Sequence, residues 1–92
     1  MMYKITYTTK FKKQRNLFLS RGYAISLLDE VVRLLARGEP LPEKCCDCAL
    51  QGKWKGYRDC HILPDWILIY KIDKGTLTLL LSETGSHSDL FR

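Results

Sequence analysis

The sequence has no apolar run long enough to cross a membrane. Its longest hydrophobic stretch, Trp66–Tyr70, is far shorter than the roughly 20 residues that a membrane-spanning helix needs. The N-terminus turns polar at Lys4, too early for a secretory signal peptide. A chain of 92 residues can bury one modest core but not two. We therefore expect a cytoplasmic protein with no membrane partner and a single domain over residues 1–92.

The cysteines lack the spacing of a common zinc site. Cys45, Cys46 and Cys48 crowd into one short segment, which is not the C-x-x-C knuckle of such sites. Nothing in the sequence indicates export, so disulfides are not expected either. We predict free thiols, with no metal and no other cofactor. A zinc or redox module built on these cysteines with Cys60 and His61 is the alternative, and metal analysis of the purified protein would distinguish the two.

Acidic residues are scarce relative to basic ones. Fifteen Lys and Arg stand against ten Asp and Glu, which gives a formal net charge of +5. On so short a chain this excess favours a polyanionic partner, either a nucleic acid or an acidic protein. A basic surface that only keeps the protein soluble is the alternative.

The hydrophobic patterns predict an α+β fold. After Ile25, apolar residues recur every three or four positions, which is typical of a helix. After Tyr57 the pattern has a period of two, which is typical of strands. We expect an N-terminal strand, a two-helix hairpin and a mainly antiparallel curved sheet with a short C-terminal helical turn. The hairpin covers one face of the sheet and leaves the other open to a ligand, and Glu39–Gly52 forms a loop. The predicted elements are a strand Tyr3–Tyr7, helices from near Lys10 to Leu19 and from Ile25 to Arg37, strands Tyr57–Ile62, Trp66–Ile72 and Thr76–Leu81, and a final turn opened by a capping box at Ser86–Asp89.

Histidine is rare, and both histidines lie in the C-terminal half beside polar neighbours. An imidazole is the side chain best suited to proton transfer near neutral pH. His61 ends a predicted strand, Asp65 follows across the turn, and His87 follows the last strand. In a meander these three positions can converge at one edge of the sheet. We predict an acid–base site there, and two surface or structural histidines are the alternative.

Aromatic and cationic residues are interleaved around the same region. This combination suits single-stranded RNA, because cations bind phosphates and aromatic faces stack on bases. A buried position for Trp66 and a solvated loop for the lysines are the alternatives. The residues concerned are the aromatic Trp54, Tyr57, Trp66 and Phe91 and the basic Lys53, Lys55 and Arg58.

Two segments, Leu50–Lys71 and Thr84–Phe91, resemble the signature block and the C-terminus of YafQ-type toxins, a branch of the RelE/ParE toxin–antitoxin superfamily. The resemblance implies a ribosome-dependent endoribonuclease, an mRNA interferase that inhibits translation. Such a type II toxin is held inactive by a cognate antitoxin in an oligomeric complex, and its partners are the ribosome and mRNA. Its cleavage is metal-independent: the ribose 2′-hydroxyl attacks the adjacent phosphate, a base takes the proton, and an acid protonates the departing 5′ oxygen.

Position by position, His61, Asp65 and His87 match the acid–base residues of the family. His87 is expected to lead the proton transfer, with His61 and Asp65 supplying a second transfer or orienting the RNA; which histidine is acid and which is base stays open. Trp66 and Phe91 match aromatic positions near the substrate. The expected RNA-binding residues are Lys53, Lys55, Arg58, Trp66 and Phe91.

The chain departs from the family pattern at two positions. Cys48 stands where the family usually has a histidine, and Glu83 stands where it usually has an arginine. A carboxylate near a phosphate is repulsive unless it is neutralised, so we expect weaker cleavage or a different specificity, with Arg58, Lys53 or Arg92 as replacement cations. One alternative is a degenerate toxin that binds antitoxin or ribosome without cleaving RNA. Another is a ParE-like inhibitor of DNA gyrase, which a supercoiling assay would detect.

Overall fold

Two helices pack on one face of a five-stranded sheet in the computed structural model, which describes residues 2–91. The predicted α+β architecture is confirmed. Among the described helices, none has the length and apolar character needed to span a membrane. The elements are β1 Lys4–Tyr7, α1 Thr9–Ser20, α2 Ile25–Ala36, β2 Cys48–Ala49, β3 Arg58–Leu63, β4 Trp66–Asp73, β5 Thr78–Gly85 and α3 His87–Leu90, with 3₁₀ turns at Glu43–Cys45 and Gly52–Trp54.

The strands of the sheet lie in the order β1-β5-β4-β3-β2. From β2 to β5 each strand pairs antiparallel with the next; the sequence predicts this for β3, β4 and β5 but not for β2. β1 instead lies parallel to β5, with Tyr7 opposite Leu81. The alternating pattern of β1 did not indicate this partner, because alternation defines the two faces of a strand and not its neighbour. The pairing brings the start of α1 to the end of β5, where the Thr8 hydroxyl donates to the Ser82 carbonyl oxygen at 2.6 Å.

The helix ends follow the signals in the sequence. The Thr8 hydroxyl accepts a hydrogen bond from the Phe11 main-chain N–H at 2.9 Å, which satisfies one of the unpaired donors at the start of α1. Gly38 has a φ of +70° just after α2, the left-handed conformation in which glycine ends helices without strain. The apolar stripe of α2 is buried at Leu28 and Leu35. Local sequence therefore determines where the helical hairpin starts and stops.

The two faces of β4 belong to two different cores; the alternation predicts the two faces, but the expectation that the second face is open is wrong at β4, where that face is covered. Trp66, Leu68 and Tyr70 face the helices and join the main hydrophobic cluster. Ile67 and Ile69 project from the opposite face. There they pack with the loop that precedes β3 and with α3, so this smaller core holds the C-terminal helix against the sheet. Its members are Ile67, Ile69 and Leu90, packed against Leu50, Trp54 and Tyr57.

Several boundaries differ from those predicted, most of all the end of β5, which runs to Gly85 and not only to Leu81. The expected loop Glu39–Gly52 contains β2 and the first 3₁₀ turn, both too short to show periodicity. β3 continues beyond His61 to Leu63 through a shift in register, so His61 lies within the strand and not at its end. β5 begins later than expected because the Asp73 carboxylate accepts hydrogen bonds from two main-chain N–H groups of the turn, those of Gly75 and Thr76.

Candidate active site

The structure brings His61, Asp65 and His87 together at one edge of the sheet, as the sequence predicts. His61 lies on β3, Asp65 in the turn between β3 and β4, and His87 at the start of α3. The Nε2 atoms of the two histidines are 3.4 Å apart, and the ring of His87 reaches Asp65 through its other nitrogen, with Nδ1 2.7 Å from Oδ1. Half of the His87 side chain (52%) is exposed, so a substrate has access to the pair.

Asp65 holds His87 at two points. Its Oδ1 accepts a hydrogen bond from the His87 main-chain N–H at 3.0 Å as well as contacting the ring. The two hydrogen bonds hold the pKa of the Asp65 carboxyl below its usual range, and the bond from the main-chain N–H has the larger effect. A capping box supports the same helix start, because Ser86 and Asp89 each bond the main-chain N–H of the other. His87 is therefore positioned by a carboxylate and by the cap of its own helix.

The hydrogen-bond pattern assigns the protons of the two rings. Because the Nδ1–H of His87 donates to Asp65, the Nε2 atom of a neutral His87 is an acceptor. His61 Nε2 then donates to it, and a neutral His61 carries no hydrogen on Nδ1. His61 Nδ1 is buried without a hydrogen-bond partner in residues 2–91, which agrees with this tautomer, assigned here from the network. The resting site thus contains one ring nitrogen that can accept a proton, Nε2 of His87, and an N–H group, that of His61 Nε2, that donates a hydrogen bond to it.

A second carboxylate, Asp59, lies on the same face of β3 as His61. The two residues are two positions apart on one strand, and side chains with this spacing project together. Burial raises the pKa of the Asp59 carboxyl, while the charges of His61 and His87 oppose that rise. Sequence analysis missed Asp59, although its spacing from His61 was the signal that could have identified it. Asp59 supplies negative potential beside the histidine pair.

Glu83, the unexpected acidic residue, is paired with a cation from α1. Its carboxylate lies 3.3 Å from Lys10 Nζ, and their side chains are 13% and 68% exposed. Gln14 donates to the same carboxylate at 3.4 Å, and its amide oxygen accepts from the Thr84 main-chain N–H at 2.9 Å. Sequence analysis missed Lys10 and Gln14, because the parallel β1–β5 pairing that brings them here has no local signal. Lys10 neutralises Glu83 and is itself largely open to a ligand.

Cys48, the other departure, also lies on the face of the histidine pair. It is exposed on β2 directly opposite Asp59, and residues directly opposite in neighbouring strands share a face. All four cysteines are free thiols. Burial raises the pKa of the Cys60 thiol, so that side chain is a neutral member of the core.

Phe91 and the two loop lysines are exposed at the surface, where a ligand can contact them. The Phe91 ring lies next to the site, with its centroid 6.4 Å from that of His87. Lys53 and Lys55 are exposed in the segment that leads into β3.

Trp66 and Arg58 have other contacts. Trp66 is 1% exposed, packs on Phe18 at 5.3 Å between ring centroids, and donates from Nε1 to the Thr84 hydroxyl at 3.0 Å. Of the two interpretations of Trp66, the structure therefore supports the buried one, and its ring offers no face for stacking. Arg58 donates from Nε to Asp47 at 3.2 Å. Both Arg58 and Lys10 are paired with a carboxylate, but the Arg58 side chain is the less exposed of the two (42% against 68%), so it is the weaker replacement for the missing arginine.

Comparison with known proteins identifies the family of this chain. A family model described as the bacterial toxin of a type II toxin–antitoxin system, YafQ, matches residues 3–92. The mRNA interferase toxin YafQ of Escherichia coli is 43% identical over 89 residues, which are 95% of this chain and 94% of the relative. A crystal structure of E. coli YafQ superimposes with a TM-score of 0.91 at 38% identity, covering 98% of this chain and 99% of that one.

A second solved relative is a complex of two proteins. YafQ in the crystal structure of the E. coli DinJ–YafQ toxin–antitoxin complex is 39% identical to this chain, with a TM-score of 0.90 and complete coverage of both chains. The sequence identity, the fold and the matched length all indicate the same family. This chain belongs to the YafQ family of bacterial toxins of type II toxin–antitoxin systems.

Proposed function

We propose that this protein is an mRNA interferase, a ribosome-dependent endoribonuclease that stops translation by cutting messenger RNA. The main support is the histidine pair, in which two imidazole Nε2 atoms lie 3.4 Å apart and one ring is oriented by Asp65. Two adjacent groups that respectively accept and donate a proton suit the cleavage of RNA by its own 2′-hydroxyl. The similar E. coli protein is itself named an mRNA interferase toxin.

In the proposed reaction His87 is the base and His61 is the acid. The 2′-hydroxyl gives its proton to His87 Nε2 as its oxygen attacks the adjacent phosphorus, and Asp65 stabilises the imidazolium that forms. The bond from phosphorus to the 5′ oxygen breaks, and that oxygen takes a proton from Nε2 of His61, which enters this step as an imidazolium and leaves it as a neutral imidazole. The products are a 2′,3′-cyclic phosphate and a free 5′-hydroxyl. A phosphate cannot enter a 3.4 Å gap, so the rings separate when RNA binds.

The cation that offsets the growing charge on the phosphate is proposed to be Lys10. It is exposed and paired with Glu83, so a phosphate oxygen competes with that carboxylate for the ammonium group. This competition costs affinity, because the ion pair must be broken or shared. Arg92, the third cation considered from the sequence, lies outside the described residues. Lys53 and Lys55 are proposed to bind phosphates farther along the message, and Phe91 to stack on a base near His87.

An antitoxin is the expected protein partner, because YafQ of E. coli has been solved as a complex with DinJ. An apolar groove between α1, α2 and β1 suits such a partner. It is lined by Ile5, Tyr7 and Val32 and bordered by Lys12 and by the ion pair of Arg15 with Asp29, so an amphipathic segment with an acidic residue for Lys12 would complement it. The free toxin would act on ribosomes in the cytoplasm, and the antitoxin would hold it inactive in an oligomeric complex.

The experiment is primer extension on a translated message with purified ribosomes, comparing the protein with its His87→Ala variant. We expect cuts that require ribosomes and disappear in the variant. Lys74→Ala, in the turn at the opposite end of β4, is the matched control and should cut like the wild type. Cuts that persist in His87→Ala, or that appear without ribosomes, would contradict the proposed mechanism.

A second candidate function is binding without cleavage, which the carboxylate of Glu83 and the thiol of Cys48 favour. The absence of cuts from protein that is folded and binds antitoxin would support it. Membership in the YafQ family favours mRNA over DNA gyrase as the target.

A further inference from the structure

A cavity of about 480 Å³ lies beside His61, on the side of β3 that faces the turn preceding β2. We propose that it binds one nucleobase of the message, that of a nucleotide next to the scissile phosphate, and so contributes to the choice of the cut site. The proposal rests on the mRNA interferase function. The lining residues are Lys44, Cys46, His61, Ile62, Leu63 and Pro64.

The cavity exists because β3 is longer than its neighbour β2. Among the described residues, β2 pairs only with Arg58 and Asp59, so β3 forms the edge of the sheet from Cys60 to Leu63. The register shift after His61 bends this free edge. The 3₁₀ turn Glu43–Cys45 packs against β3 and supplies the facing wall. Main-chain polar groups along a bare strand edge are available to a ligand.

The lining suits a base better than a phosphate. Ile62, Leu63 and Pro64 give an apolar wall, on which the flat face of a base can be buried. Lys44 is the one charged side chain of the lining, and a lysine ammonium donates readily to the carbonyl and ring-nitrogen acceptors of a purine. Leu63 is close to the active site and is 42% exposed, so its apolar side chain is open to a ligand. The volume falls within the roughly 300–1,000 Å³ of small-molecule pockets.

His61 connects the cavity to the chemistry. Its Nε2 faces His87, and the same residue is one of those that line the cavity. Because His61 belongs to both the histidine pair and the cavity lining, the proposal places one of the two nucleotides that flank the bound phosphate at the cavity. Because the message is single-stranded there, that base is free to leave its stack and enter.

The test pairs two leucines of similar exposure. Leu63 is 42% exposed in the cavity wall, and Leu77 is 43% exposed in the turn between β4 and β5, at the far end of the strands. In the ribosome assay we expect Leu63→Ala to raise KM by about tenfold, the effect of losing a modest apolar contact, with little change in kcat. Leu77→Ala should leave both constants unchanged. Equal effects of the two substitutions would overturn the proposal.

An abasic nucleotide in the message identifies the occupant. With the wild type, removing the base on one side of the cut should raise KM as much as Leu63→Ala does, and the two changes together should add nothing further, because they remove the same contact. The proposal is rejected if the abasic nucleotide and Leu63→Ala have additive effects on KM at both flanking positions. It is also rejected by a Leu63→Ala variant that binds antitoxin more weakly but cleaves normally, since the cavity would then serve the protein partner.

A binding measurement separates this proposal from the proposed activity. The probe is a dinucleotide whose first sugar lacks the 2′-hydroxyl, so that it cannot be cleaved. We expect it to shift the methyl NMR signals of Ile62 and Leu63 in the full-length protein, and a matched dinucleotide without bases to leave them in place. Shifts without ribosomal cleavage would uphold the cavity and reject the activity. Cleavage on ribosomes without such shifts, together with normal cleavage by Leu63→Ala, would uphold the activity and reject the cavity.

Discussion

One carboxylate oxygen of Asp65 contacts two nitrogens of His87, the main-chain nitrogen at 3.0 Å and the ring Nδ1 at 2.7 Å. The first contact holds the start of α3 to the turn between β3 and β4. The second determines which ring nitrogen carries the hydrogen and turns the free Nε2 toward His61. A single side chain thus couples the position of the helix to the protonation of the proposed base.

The substitution Asp65→Asn tests this coupling. The amide oxygen can still accept one hydrogen bond, but it carries no charge to stabilise the His87 imidazolium. We expect kcat to fall by about 100-fold or more with a small change in KM, measured by single-turnover cleavage on ribosomes. Asp73→Asn is the matched control, since Asp73 is a turn carboxylate that also accepts two hydrogen bonds but lies at the far end of β4. Equal losses in both variants would contradict the coupling.

Asp59 should make stability depend on pH. Burial raises the pKa of its carboxyl in the folded state, so the fold binds a proton more tightly than the unfolded chain does. The contribution of Asp59 is therefore most favourable at low pH and is lost as pH rises from the usual carboxyl pKa through the folded value. Asp59→Asn should be more stable than the wild type at neutral pH, with the difference vanishing in acid, by urea denaturation across this range. A difference independent of pH would refute the assignment.

The pair of Lys10 and Glu83 should govern the salt dependence of cleavage. Glu83→Arg removes the carboxylate that competes for Lys10 and adds a second cation, so affinity for the message should rise. Each added phosphate contact also steepens the dependence of binding on salt. We expect a lower KM and a steeper slope of log KM against log salt concentration. Glu83→Arg combined with Lys10→Ala should lose part of the gain; an unchanged KM in the single variant would show that Glu83 does not limit RNA binding.

Gly85 should be intolerant of a side chain, because it lies beside the cap of α3. A Cβ at this position would meet Cβ and Oδ2 of Asp89 at 3.1 Å, and Asp89 is part of the capping box. Gly85→Ala should reduce stability by about 1 kcal/mol, the usual effect of losing a cap, and should also reduce cleavage per folded molecule by displacing His87. Gly75→Ala, where a Cβ meets Asp73 at 3.2 Å, should affect stability alone.

Sequence by itself determined the longer helices and strands and the three residues on which the proposed acid–base chemistry rests. Helix periodicity, the Thr8 cap and Gly38 are local features, and they specified the hairpin because helix ends are governed by groups within one turn of each other. The alternation after Trp66 assigned the two faces of β4. His61, Asp65 and His87 were identifiable because few side chains transfer protons at neutral pH, and the resemblance to YafQ-type toxins placed them together.

Only the tertiary structure decided which side chains meet. The parallel pairing of β1 with β5 brings Lys10 to Glu83, and the packing of α1 on the sheet buries Trp66, which the sequence left between core and RNA contact. The short β2 leaves the edge of β3 bare beside His61. Strand order, strand length and register have no local signal, and a slip of one residue would move every side chain to the opposite face. Contacts between distant parts of the chain therefore follow from the assembled sheet and not from the patterns of its separate strands.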